Sequence, residues 1–198
     1  MASTKNVIAQ VAVLLMMAVS LGLKKDMQIT DARDLIAEMA DLPDKIQETL
    51  MKGPKIKKIA KKYATYKHMF VLGRNYFYPV AGEASLKCKE LSYIHCESYS
   101  AGELKHGPIS LIDEKMVNIA IVTPDLYEKT LSNAQEVKAR GGLIVLIGQE
   151  NDQVLKEISD YYIGLDYTGL TDTKPVLTNV VLQLLSYYIA KLKGTDID

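Results

Sequence analysis

The sequence predicts an α/β fold, a parallel sheet with helices on both of its faces. Two observations carry this. Four short apolar runs, His68 to Leu72, Val117 to Val122, Leu143 to Ile147 and Tyr161 to Leu165, are separated by stretches with helical pattern. Strands buried on both faces read as continuous apolar runs, and their alternation with helices is the mark of a parallel sheet. In addition, Gly141-Gly142 stands just before the third run, where a helix end often needs a left-handed residue. The sheet domain is expected over residues 53–198, with a helical segment over 1–52 that has no strand of its own.

The elements follow in order. Residues 4 to 23 read as a helix, with Thr4 as a candidate cap and an apolar run from Val7 to Leu23 broken by Gln10 and Ser20. Behind Lys5 such a run resembles a signal peptide or a marginal membrane span. Lys24, Lys25 and Asp26 follow it without a small-residue cleavage site, so a buried helix is expected. A second helix begins after Thr30, with Asp31 and Asp34 in its first turn. Its apolar stripe is Leu35, Ile36, Met39, Leu42, Ile46 and Leu50, and Pro43 is expected to kink or split it. Gly53-Pro54 should end it. Lys55 to Tyr63 reads as a short basic helix with its lysines in water. The strands then alternate with helices at about 77 to 93, 126 to 140, 151 to 158 and 173 to 193.

The 198 residues suffice for one sizeable α/β domain plus an appendage, and 48% are hydrophobic, as a globular core requires. Lys+Arg and Asp+Glu both number 24. No basic footprint points to nucleic acid or to an anionic membrane. Cys88 and Cys96 are too few for a disulfide scaffold and fit no metal spacing. They read as buried, idle thiols in a reducing compartment.

Three places could carry chemistry. Gly73-Arg74-Asn75 follows the first strand, where open parallel sheets bind ligands. It matches no phosphate-binding motif, and a plain strand-to-helix turn explains it equally. Glu83, Lys87 and Glu90 fall at i, i+4 and i+7, so a helix puts them on one face. From spacing alone this is either a surface ion ladder or a proton-transfer site. In the second case a carboxylate moves a proton beside a carbonyl while the lysine stabilises the enediolate oxygen. His106, between Lys105 and Gly107-Pro108, is either a solvated loop histidine or an acid–base group. His68 and His95 read as structural. No arrangement suggests a nucleophilic hydrolase or a metal centre.

Longer blocks add a resemblance. Gly82-Glu83-Ala84-Ser85-Leu86-Lys87-Cys88-Lys89-Glu90-Leu91-Ser92-Tyr93-Ile94-His95 and Ala101-Gly102-Glu103-Leu104-Lys105-His106-Gly107-Pro108 resemble the second sugar-isomerase (SIS) domain of the isomerizing glutamine–fructose-6-phosphate aminotransferases. Ala139-Arg140-Gly141-Gly142 and the closing Lys193 to Asp198 also match, and Ala2-Ser3-Thr4-Lys5 resembles the last sugar-phosphate loop of the first SIS domain. The resemblance implies a three-layer α/β/α SIS domain with a five-stranded parallel sheet. Residues 1–52 would then be the helical end of the first SIS domain, and 53–198 the second.

It implies conversion of fructose 6-phosphate and glutamine-derived ammonia to glucosamine 6-phosphate in the cytoplasm, without metal or organic cofactor. Glu90 would move the proton between C1 and C2, and Lys87 would support the enediolate. His106 would assist ring opening from the neighbouring subunit of a homodimer. Glu83 would be a further active-site carboxylate, and Ser3 would bind substrate. The sequence departs from the family in three ways: the glutaminase domain, most of the first SIS domain, and the C-terminal tail with its Schiff-base lysine are missing. The chain therefore reads as a fragment that is inactive alone. A related phosphosugar isomerase or deaminase, or a non-catalytic phosphosugar-binding module, are the competing readings.

Overall fold

The computed structural model describes residues 2–197, so Met1 and the Asp198 that closes the last matching block lie outside the described residues. Three helices come first: α1 (Lys5–Gly22), α2 (Ile29–Leu50) and α3 (Gly53–Tyr63). Strands and helices then alternate as β1 (His68–Gly73), α4 (Phe77–Ser92), β2 (His95–Ser100), β3 (Met116–Ile121), α5 (Tyr127–Ala139), β4 (Leu143–Gln149), α6 (Gln153–Ile158), β5 (Tyr161–Leu165) and α7 (Lys174–Lys193). The five strands form one sheet of order β2-β1-β3-β4-β5, and every neighbouring pair is parallel.

The strands divide their side chains by alternation. Met69, Val71, Ile119, Val145, Ile147 and Ile163 face one core, packed by α3, α4 and α7. Phe70, Leu72, Ala120, Ile144 and Leu146 face the other, packed by α5 and α6. Three layers result, as the apolar runs require.

Several local expectations change. β2, His-Cys-Glu-Ser-Tyr-Ser, is no apolar run because it buries only Cys96; it lies at one edge of the sheet and β5 at the other. α2 runs unbroken through Pro43, whose ring sits on the exposed side. The helix starts at Ile29, so only Asp31 is in its first turn. Leu35 and Leu42 are buried, whereas Ile36 and Leu50 are exposed. Gly53-Pro54 does not end α2 but opens α3, with proline at the start, where its missing N–H costs nothing. Gly141 has φ +78 after α5, the left-handed residue the sequence called for.

The largest correction is α1. Thr4 makes no side-chain cap, and of the helix only Val19 is buried. Val13, Leu14, Met16, Met17 and Leu21 face outward. By length and composition alone the helix could cross a membrane. Its apolarity was read as burial, but nothing among the described residues covers this face.

α2 is fastened to the sheet domain by a group the sequence did not announce. Glu38 is buried, and its Oε1 accepts from Thr171 N (2.9 Å), Thr173 N (2.6 Å) and Thr173 Oγ1 (2.7 Å). Thr173 occupies the N-cap position of α7 without making a side-chain cap there.

Candidate active site

Helix α4 positions the central group. One face, with Val80, Ala81, Ala84 and Cys88, packs on the sheet. The i, i+4, i+7 spacing brings Glu83, Lys87 and Glu90 together on another face. Lys87 Nζ is 2.6 Å from Glu90 Oε2 and 3.6 Å from Glu83 Oε1. Lys87 is only 3% exposed, Glu83 16% and Glu90 41%. The surface-ladder reading is therefore set aside, because a ladder lysine reaches into water and this one does not.

The electrostatics are asymmetric. Lys87 makes a short, charge-assisted bond to Glu90. The 3.6 Å contact to Glu83 is an ion pair too long for a hydrogen bond, and Glu83 Oε1 has no hydrogen-bond partner among the described residues. Burial pushes the Glu83 carboxyl above the usual carboxylate range; the Lys87 charge opposes this, and the Glu90 charge adds to it. Two carboxylates thus share one cation, one of them partly buried and the other tied to the lysine and open to solvent.

A cavity of about 140 Å³ adjoins the group. Val7 and Val11 of α1, Val80 and Glu83 of α4, and Val176 and Asn179 of α7 line it. Asn179 Oδ1, like Glu83 Oε1, is buried without a hydrogen-bond partner among the described residues. The wall is largely apolar, with Glu83 and Asn179 as its polar members.

The remaining candidates lie apart. Ser3 is exposed, two residues before α1, and Gln183 of α7 reaches back to the neighbouring Thr4 carbonyl at 3.4 Å. His106 ends a 3-10 stretch, Ala101–His106, anchored by buried Ala101 and Leu104 and by Lys105 paired to Glu136 at 2.8 Å. His106 itself is exposed, and no hydrogen bond or ion pair joins it to Lys87 and its carboxylates among the described residues. Gly73 serves the turn. A Cβ there would lie 2.1 Å from the Phe77 carbonyl oxygen. Arg74, just after it, donates to Asn133 Oδ1 of α5 at 2.9 Å and locks the loop in place. That tie carried no sequence signal, since 59 residues separate its partners. Cys88 and Cys96 are both buried and free.

The chain is thus a parallel three-layer α/β/α domain with one lysine buried between two carboxylates on a sheet-packed helix. Residues 62–192 match the model of the SIS domain, and the chain belongs to that family. It is 45% identical over 200 residues to the glutamine–fructose-6-phosphate aminotransferase (isomerizing) of Bacteroides thetaiotaomicron, covering all of this chain and 32% of that one. The corresponding protein of Caldanaerobacter subterraneus subsp. tengcongensis is 45% identical over 199 residues, with 33% of its length covered. The solved C-terminal domain of the glucosamine-fructose-6-phosphate aminotransferase from Francisella tularensis superposes with a TM-score of 0.92 at 37% identity. It covers all of this chain and 56% of that one. The chain is homologous to the isomerase domain of these enzymes and spans about a third of the length of the curated relatives.

Proposed function

We propose that this chain is the isomerase-side segment of a glutamine–fructose-6-phosphate aminotransferase. Its reaction converts fructose 6-phosphate and glutamine-derived ammonia to glucosamine 6-phosphate. The observation that carries the reading is Lys87, buried between Glu83 and Glu90 inside the Gly82–His95 block that resembles that family. Residues 1–52 close the first SIS domain in this reading, and 53–198 are the second.

Each side chain then has a task. Glu90 has one oxygen fixed by Lys87 and its carboxylate open to solvent, so it is oriented and able to carry a proton between C1 and C2. Lys87 keeps donors free beside that bond, and these meet the oxygen that becomes anionic in the enediolate. Glu83, 3.6 Å from Lys87 Nζ on the side away from Glu90, is a further carboxylate of the site and helps to hold the lysine in place. Ser3 holds substrate from the head of α1. The exposed His106 serves the neighbouring subunit of a homodimer, which agrees with its separation from the group on its own chain. The protein works in the cytoplasm with no nucleic-acid or membrane partner. The outward face of α1 is then covered by protein.

The test is Glu90→Gln in the full-length enzyme, followed by ammonia-dependent glucosamine 6-phosphate formation and by exchange of the sugar C1/C2 hydrogen in D2O. Both rates should fall at least about 100-fold, the lower end for a lost general base, while fructose 6-phosphate still binds. Activity within a few-fold of the parent would remove Glu90 from the chemistry.

A further inference from the structure

The stretch that carries His106, Ala101–His106, is six residues of 3-10 helix. With three residues per turn, side chains three apart stand in one row. Ala101 and Leu104 form the buried row. Gly102 and Lys105 form a second row, and Glu103 and His106 form a third that is exposed. Runs of 3-10 helix seldom exceed four residues, because their hydrogen-bond geometry is poor. The aim of this one therefore depends on what holds it from outside. Nothing does so beyond His106, since a Cβ on Gly107 would meet no atom within 4 Å.

The second row is the one that is held. At Lys105 the tie is the ion pair to Glu136, but that lysine is 61% exposed and such pairs are weak. At Gly102 the hold is Arg74. Its Nε and Nη2 both donate to Oδ1 of the buried Asn133, at 3.3 and 2.9 Å. The planar guanidinium is thereby fixed, and it lies against Gly102. A Cβ there would stand 3.1 Å from Nη1, 3.3 Å from Nη2 and 3.4 Å from Cζ. Glycine permits this approach, and a larger residue pushes the guanidinium aside. The Arg74 carbonyl also accepts from Phe77 N at 2.9 Å, at the start of α4. One residue thus meets the root of the helix that bears Lys87 and Glu90, the helix α5, and the histidine loop.

We propose that Arg74 is a positioning residue for His106. Its guanidinium, fixed by Asn133, is the seat on which Gly102 rests, and that seat sets the direction in which the loop presents His106 to the neighbouring subunit. The proposal rests on the reading of His106 as the group that assists ring opening. Opening the furanose breaks the C2–O5 bond, removes the proton of the C2 hydroxyl and delivers a proton to O5. A histidine serves that exchange only within hydrogen-bond reach of the atoms concerned. Proton transfer between C1 and C2 follows on the open chain and does not need His106.

The test is steady-state kinetics of the full-length protein with two substrates, fructose 6-phosphate and 5-deoxyfructose 6-phosphate, which lacks the hydroxyl that closes the ring. Arg74→Met should lower kcat with fructose 6-phosphate about 10- to 100-fold, as a misplaced group does, and leave the open-chain substrate within a few-fold. Gly102→Ala, which shifts the contact by only a few tenths of an ångström, should show the same pattern at smaller size. His106→Asn should show it too, and Arg74→Met should then add nothing to the loss. If Arg74→Met slows both substrates alike, slows neither, or multiplies the loss in His106→Asn, the proposal is overturned while His106 keeps its role. If His106→Asn itself slows both alike, its ring-opening role falls, and the proposal with it. Should Arg74→Met not fold, Gly102→Ala decides: unchanged turnover of fructose 6-phosphate overturns the proposal.

Discussion

Glu83 and Glu38 show how differently two desolvated carboxylates can behave. Glu83 is desolvated and lies near the Glu90 charge, so its folded-state pKa lies above its unfolded value of about 4.3 despite the opposing Lys87. The folded chain then binds this proton more tightly than the unfolded chain. Below the unfolded pKa the stabilising contribution is complete, and it is lost as pH rises through the folded pKa. Glu83→Gln should abolish that segment of the pH–stability curve. Lys87→Met removes the charge that opposes the shift and should move the Glu83 titration higher still, read from its carboxyl carbon shift. Glu38 is the opposite case, with three donors on a single oxygen. Glu38→Ala strands two backbone N–H groups at the start of α7 and should cost about 2–4 kcal/mol in denaturant unfolding. The first group was half legible: spacing announced the shared face of Glu83, Lys87 and Glu90 but not that the lysine is buried. Glu38 was illegible, because its partners lie 133 and 135 residues away.

Elements were legible wherever burial was symmetrical. β1, β3, β4 and β5 are covered on both faces and announce themselves as apolar runs. β2 and β5 are both edge strands, but β2 buries only Cys96 and so carries no apolar run; its existence came from resemblance, not from pattern. Pro43 illustrates a tertiary override. A proline costs one helix hydrogen bond, yet Leu42 and Ile46 on either side are held against the core and keep α2 whole. The joint between β1 and α4 is the element most directly tied to the site, since its geometry sets where Lys87 stands. A Cβ at Gly73 would meet the Phe77 carbonyl carbon at 2.5 Å and the Tyr78 nitrogen at 2.9 Å, backbone atoms that cannot rotate away. Gly73→Ala should therefore destabilise by about 3 kcal/mol, the upper part of the overpacking range. On the proposed function it should also lower isomerase activity more than fructose 6-phosphate binding in the full-length protein, because α4 itself is displaced.

At the scale of the molecule, α1 is where sequence reasoning and structure part. The helix is apolar on nearly every side, which reads as a core helix, a leader or a membrane span. Its inner residues are consistent with the first of these, since Val7 and Val11 close the cavity beside Glu83 and Val19 packs on Ala32 and Leu35. Its outer face is bare, with Leu14 62% and Leu21 57% exposed. A bare face of this kind marks an interaction surface or an aggregation hazard. The relatives align over all of this chain, α1 included, and about two-thirds of their length lies beyond it. Protein from that remainder is the expected cover. Two measurements separate this from a lipid partner. In the full-length enzyme the backbone amides of α1 should exchange far more slowly than in residues 1–198 alone. The full-length enzyme should not float with neutral phosphatidylcholine vesicles. Leu14→Glu with Met17→Glu should leave the 198-residue chain folded, because neither side chain is buried there, yet should disrupt the full-length enzyme. Unchanged exchange between the two forms, or flotation of the full-length enzyme, would mean that α1 meets something other than its own protein.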